Sequence, residues 1–172
     1  MPTCRTTSKS GKWAWNWVFT SSAATFTMEK ADPEKKWWFL YEGTIAGRFA
    51  PEKQFWGTDK SPRSSGTPDS KSQKFDHWQW IYFGDEHSPR VLTLAQHAPD
   101  KIQDTLWYLG SSDGGAATAP DGMVVFGFGR DPGAKPALQG TGTTVTVALV
   151  ESVDHRVISR QVEEEIEKAA TR

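Results

Sequence analysis

Aromatic residues recur at every second position in three separate stretches of this chain. WAWNWVF carries Trp13, Trp15, Trp17 and Phe19, WWFLYEG carries Trp37, Phe39 and Tyr41, and HWQWIYFGD carries Trp78, Trp80 and Tyr82. Successive side chains of a strand point to opposite faces, so this spacing specifies β-strands. It also raises a question of placement. A buried Trp brings roughly 150–250 Å² of contact surface and an indole N–H that needs a partner. Three such stripes crowd one small core, so at least one is expected to reach a surface.

Period-two alternation predicts strands near 13–19, 24–30, 36–42, 77–83, 90–96, 104–109, 123–129 and 143–151. The first two form a hairpin across Ser21 and Ser22. Residues 57–73, 110–122 and 130–142 are rich in Ser, Gly, Pro and Asp and read as loops, the first of them long and mobile. Residues 1–12 read as a disordered tail and 13–151 as the β domain. In 152–172, Ile158, Val162, Ile166 and Ala169 fall at helical spacing behind Asp154, a suitable N-cap. The fold class is therefore all-β: a β-sandwich or jelly roll of about eight strands with a C-terminal amphipathic helix. An up-and-down barrel is the alternative architecture.

Charge narrows the partners. Twenty basic residues against 21 acidic give a net charge of −1, with no Lys/Arg stripe, so nucleic acid is not expected as a partner. Cys4 is the sole cysteine, which excludes an internal disulfide and a thiolate cluster. No transmembrane segment is expected, and MPTCRTTSKSGK has no apolar core of a signal peptide. An extracellular or periplasmic location follows if the chain belongs to a longer secreted precursor, and a cytoplasmic one if it stands alone.

For function, flat rings beside polar groups suit a sugar, whose C–H face covers an aromatic plane while side chains reach its hydroxyls. Trp78, Trp80 and Tyr82 are the expected platform of a polysaccharide- or oligosaccharide-binding surface. Trp107, in DTLWYLG, and Arg130, after the glycines of MVVFGFGR, extend the ligand-binding set. Gly127 and Gly129 leave bare backbone on which either a neighbouring ring or a ligand can rest. Arg48 either joins that set or pairs with Glu42.

A second reading is catalytic: a glycoside hydrolase or polysaccharide lyase with a His/carboxylate site. AQHAPDKIQD gathers His97, Asp100 and Asp104 just after a strand, and Glu42 ends an aromatic strand where burial raises a carboxyl pKa. His97, Asp104 and Glu42 are the catalytic candidates. Against this, the chain has no GxSxG elbow, P-loop or HExxH motif, and EEEIE lies on the terminal helix as a solvated face. GFGR lacks the helix and acidic residue of a dinucleotide site. No cofactor is expected, and the four histidines lack paired zinc spacing. Asp113 and Asp121 sit in an oxygen-rich loop suited to a structural Ca²⁺, although the spacing matches no EF-hand. A third reading is an apolar-ligand or protein-interaction β-barrel, which requires the Trp stripes to enclose a cavity.

From Trp13 to Glu151, the segments WFLYEGTIAGRF, WIYFGDEHSPRVLTLAQH, DTLWYLG and MVVFGFGR resemble the β-sandwich domains of bacterial secreted carbohydrate-active proteins. The resemblance implies a sandwich acting on or near polysaccharide, outside the cell.

Overall fold

The alternating segments assemble into twelve strands, in a computed structural model that describes residues 1–47, 49–65, 73–109 and 121–170. The strands are β1 (Thr3–Thr7), β2 (Ala14–Phe19), β3 (Ala23–Lys30), β4 (Phe39–Gly43), β5 (Gln54–Thr58), β6 (Ser64–Ser65), β7 (Lys74–Asp76), β8 (Trp80–Asp85), β9 (Val91–Gln96), β10 (Asp104–Leu109), β11 (Met123–Phe128) and β12 (Thr144–Val150). The helix α1 spans His155–Ala170. Eight strands pair in the order β1-β2-β3-β12-β9-β8-β5-β6, and four in the order β4-β11-β10-β7, with every pairing antiparallel. The result is an all-β sandwich with a C-terminal helix.

Four strands go beyond the expected set. Residues 1–12, expected to be a disordered tail, contain β1, which pairs along β2 with Cys4 opposite Trp17. Its run TCRTT is short but threonine-rich, and an edge strand needs only one partner. β5 runs into the start of the stretch 57–73 that reads as a loop, β6 is a two-residue strand within it, and β7, just after it, has three residues. Each is too short to show a period. The expected mobile segment 66–72 and the loop residues 110–120 lie outside the described residues.

The inner faces of the two sheets make the main core. Trp56, Trp78, Ile81, Phe83, Leu94 and Val145 of the large sheet and its margins meet Leu106, Tyr108, Val124, Phe126 and Phe128 of the small one. Burying each such side chain contributes roughly 1.5–3 kcal/mol. β4 runs across the strands of the large sheet. Its Phe39 touches Phe26 and Trp17 on β3 and β2, at ring-centroid distances of 5.3 and 6.1 Å, while Tyr41 stacks on Phe83 of β8 at 5.8 Å.

A third layer covers part of the large sheet's outer face. Asp154 caps α1, its Oδ1 accepting the Arg156 and Val157 N–H groups at 2.8 and 3.4 Å. The helix lays Ile158, Val162 and Ile166 over Phe55, Trp80, Tyr82, Val91, Ala95 and Val150. Beneath it, β5 and β8 interlock. Gly57 lies against the Tyr82 ring and Gly84 against the Phe55 ring, so close that a Cβ at either position collides with the ring.

Candidate functional site

The stripe expected to form the platform is buried. Trp78, Trp80 and Tyr82 expose 5%, 3% and 0% of their surface. Nor do the three rings share a face. β8 begins only at Trp80, and Trp78 precedes it and turns into the inter-sheet core, 6.5 Å from the Trp56 ring and 6.0 Å from Phe126. Trp80 and Tyr82 point outward, where α1 covers them. His155 sits 5.8 Å from Trp80 and 5.9 Å from Tyr82, and its Nδ1 is 3.2 Å from the Tyr82 hydroxyl. The correction has a simple cause: the outer face of β8 is the seat of the helix.

The three catalytic candidates are also separated. Asp104 opens β10 on the core side and is fully buried. Its Oδ1 accepts the Gly129 N–H at 2.7 Å and its Oδ2 the Trp78 N–H at 3.3 Å. Burial outweighs these donors and pushes its pKa up to about 8. The residue is an internal strut joining β8, β10 and the turn after β11. His97 follows β9 on the outer side of the large sheet. Its Nε2 lies 2.8 Å from Thr146 Oγ1, which lies 2.9 Å from Thr25 Oγ1. Burial lowers the His97 pKa, against the opposing pull of Glu165. These groups line an open groove of about 400 Å³ beside α1, together with Thr27, Thr144 and Lys168. Glu42 lies on neither of these faces. His97, Asp104 and Glu42 thus lie on three different faces, and the hydrogen bonds of His97 and Asp104 go to other residues.

Glu42 instead shares the outer face of the small sheet with two of the expected ligand-binding residues, Trp107 and Arg130. The inner face of that sheet uses Phe39 and Tyr41, Val124, Phe126 and Phe128, and Leu106 and Tyr108. The alternate residues therefore point outward. Register places Glu42, Val125 and Trp107 in one row across β4, β11 and β10, and Leu40, Gly127, Thr105 and Phe75 in the next row across β4, β11, β10 and β7. Neighbouring strands are about 4.8 Å apart, which sets Glu42 and Trp107 about 10 Å from each other. Glu42 is exposed, Leu40 and Trp107 are half-buried, and Phe75 is 50% exposed.

Arg130 occupies the middle of this face. Gly127 has no side chain, and the Arg130 Cβ and Leu40 Cδ1 fill the space beside it, 2.8 and 3.1 Å from where a Gly127 Cβ would stand. The bare backbone is thus used by a neighbouring side chain. The Arg130 main chain is fixed by a bridge to Pro136, by a 2.6 Å hydrogen bond from Thr105 Oγ1 to its carbonyl, and by its N–H donating to the Gly127 carbonyl at 3.2 Å. The residue is only 6% exposed, and among the described residues its buried Nη1 has no hydrogen-bond partner. Burial lowers its pKa, and the Glu42 and Asp131 carboxylates oppose that shift.

A second open aromatic surface lies on β2. Trp13, Trp15 and Trp17 are half-buried and Phe19 is 38% exposed, on the inner side of the large sheet toward its β1 edge. Cys4, which shares that side opposite Trp17, is exposed. Trp17 stacks on Phe19 at 6.2 Å.

Arg48 and Asp113 lie outside the described residues. Among the described residues, no three His, Cys, Asp or Glu side chains gather as a metal group, and no helix is long and apolar enough to cross a membrane. Phe75 was not anticipated. Its only sequence signal is an isolated ring between Lys74 and Asp76, in a strand too short to show alternation. No protein-family profile matches the chain, and no curated protein matches its sequence.

Proposed function

We propose that this protein recognises carbohydrate on the outer face of its four-stranded sheet. The observation that carries the reading is the row arrangement just described: the partly exposed Trp107 and Phe75 rings share the outer face of the small sheet with the exposed Glu42 carboxylate, over a floor of buried Thr105 and Val125. Rings supply flat apolar area for the C–H face of a sugar, and the exposed Glu42 carboxylate supplies directional hydrogen bonds. Sites of this kind combine apolar walls with a few fixed polar groups. The apolar-ligand reading draws no support from Trp78, Trp80 and Tyr82, which are packed against protein rather than around a cavity.

Titration with neutral and acidic polysaccharides, read by tryptophan fluorescence, tests the proposal. A saturable response is expected from at least one glycan. Trp107→Ala should weaken that binding about tenfold, the equivalent of one lost stacking contact, with the circular dichroism of the sheets unchanged. Wild-type affinity in a folded Trp107→Ala protein removes the small-sheet face from consideration.

A further inference from the structure

The outer face of the large sheet, turned away from the four-stranded sheet, carries a block of polar side chains that the carbohydrate reading does not use. Register sets Thr27, Thr144 and His97 in one row across β3, β12 and the end of β9, and Thr25, Thr146 and Ala95 in the next. Thr144 Oγ1 lies 3.3 Å from Thr27 Oγ1, Thr146 Oγ1 lies 2.9 Å from Thr25 Oγ1, and His97 Nε2 lies 2.8 Å from Thr146 Oγ1. Outward threonines alone are ordinary on a solvated sheet face. Here α1 raises a wall beside them. The groove of about 400 Å³ between wall and sheet continues along the helix into a second hollow of about 300 Å³, the two sharing Ala23, Thr146, Glu165 and Lys168. That is the size of a small-molecule site, roughly 300–1,000 Å³. Thr146 is buried at the floor. His97, Thr25, Thr27 and Thr144 are half-buried, and Glu165 and Lys168 are exposed, so polar groups on three strands and the helix are open to a ligand.

The hydrogen-bond chain fixes the chemistry of that ligand. Each hydroxyl has one proton to donate, and a neutral imidazole has one N–H. Burial lowers the His97 pKa, so the ring is neutral at pH 7. His97, Thr146 and Thr25 therefore hold three protons and use two of them among themselves. With the ring proton on Nδ1, that N–H is the spare donor and the Thr25 oxygen is the open acceptor. With it on Nε2 the polarity reverses, and the Thr25 O–H is spare while Nδ1 accepts. Nδ1 makes no hydrogen bond among the described residues. A carboxylate only accepts and an ammonium only donates, so either satisfies one end of the chain, whereas a hydroxyl does both. Fixed charge at the wall is balanced, because Lys168 Nζ pairs with Glu165 Oε1 at 3.0 Å. We infer that this groove is a separate binding site for a small neutral molecule bearing several hydroxyls, a monosaccharide or a cyclitol, held between His97 and Thr25. Their strands flank β12, about 10 Å apart, and both side chains converge on Thr146, close enough for one such molecule to reach both.

Imidazole NMR on the intact protein tests the inference. Glucose, galactose and myo-inositol serve as neutral probes, glucuronate and galacturonate as charged ones, each titrated into the millimolar range. His97→Phe assigns the His97 signals among the four histidines. At least one neutral probe should shift those signals saturably, and each uronate should bind at least about fivefold more weakly than the best neutral probe, the loss of one hydrogen bond. Thr25→Val keeps the side-chain shape without the hydroxyl and should weaken binding by a similar factor. Trp107→Ala, on the small sheet, should leave the titration unchanged. The inference is overturned if no neutral probe shifts His97, if a uronate binds as tightly as the best neutral probe, if folded Thr25→Val keeps full affinity, or if Trp107→Ala removes the shift. The first three results leave the small-sheet proposal standing, since that face is tested by polysaccharide binding and Trp107.

Discussion

Strands β2 and β8 carry the same aromatic alternation, and the fold treats them differently. β8 lies between β9 and β5, with the small sheet against its inner face and α1 against its outer face. Phe83 and Tyr82, on its opposite faces, are both fully buried. β2 lies one strand from the edge. Its Trp17 leans on Phe26 and Phe39, but Phe19 remains 38% exposed and the outward-facing Asn16 and Val18 are half-buried. Period two fixes which residues share a face. How many layers lie over that face depends on where the strand falls in the sheet and on what packs above it.

The largest expected effect comes from breaking the covered stripe. Trp80→Ala removes a ring that is 3% exposed and packed between Tyr82 and His155. It should cost about 3–5 kcal/mol in urea unfolding, the range for emptying a buried aromatic site. A cost under about 1 kcal/mol, the size of a surface change, would mean that α1 does not seal this face.

The same contrast explains what could be read from the chain. The β-sandwich with a terminal helix was legible because Trp15, Trp17, Phe26 and Met28, or Leu92 and Leu94, keep their period over a whole strand, and because Ile158, Val162 and Ile166 keep a helical one. The helix's apolar stripe was visible, but not that Trp80 and Tyr82 would receive it, since this depends on pairing between residues far apart in sequence. Trp78 misled for a local reason: the chain bends before β8 starts, so counting by twos from Trp80 assigns it to the wrong side. Glu42, Trp107 and Arg130 were singled out separately, from side-chain chemistry. Their convergence came from the registers Val125↔Glu42 and Trp107↔Val125, which no local pattern encodes.

The next effect sharpens the buried side of the comparison. Asp104 anchors the entry to β8 through the Trp78 N–H, and burial holds its pKa at about 8. Its folded pKa lies above the ordinary carboxyl value of 3.8, so folding favours the protonated form. The contribution is therefore fully present below the ordinary value and is lost as pH rises from there toward 8. Wild-type stability should carry this downward slope, with a total of a few kcal/mol at most. Asp104→Asn should flatten it, at some cost at every pH because an amide N–H₂ then faces one of the two backbone donors. An unchanged slope in the variant would assign the pH dependence to other groups.

The smallest effect belongs to β2. Trp15 is half-buried, and its side chain is packed against the Phe26, Met28, Trp37 and Leu138 cluster on one side only. Trp15→Ala should cost only about 1–2 kcal/mol, because part of the ring is already in water. Phe19→Ala, at the more open end of the stripe, should cost less still. Neither should alter glycan affinity if the small-sheet face is the site, since β2 presents its rings on the inner side of the large sheet, away from Glu42 and Arg130. If Trp15→Ala abolishes binding while Trp107→Ala leaves it intact, the open stripe on β2 is the sugar platform. Running both variants against the same glycan therefore decides between the two exposed aromatic surfaces of this sandwich.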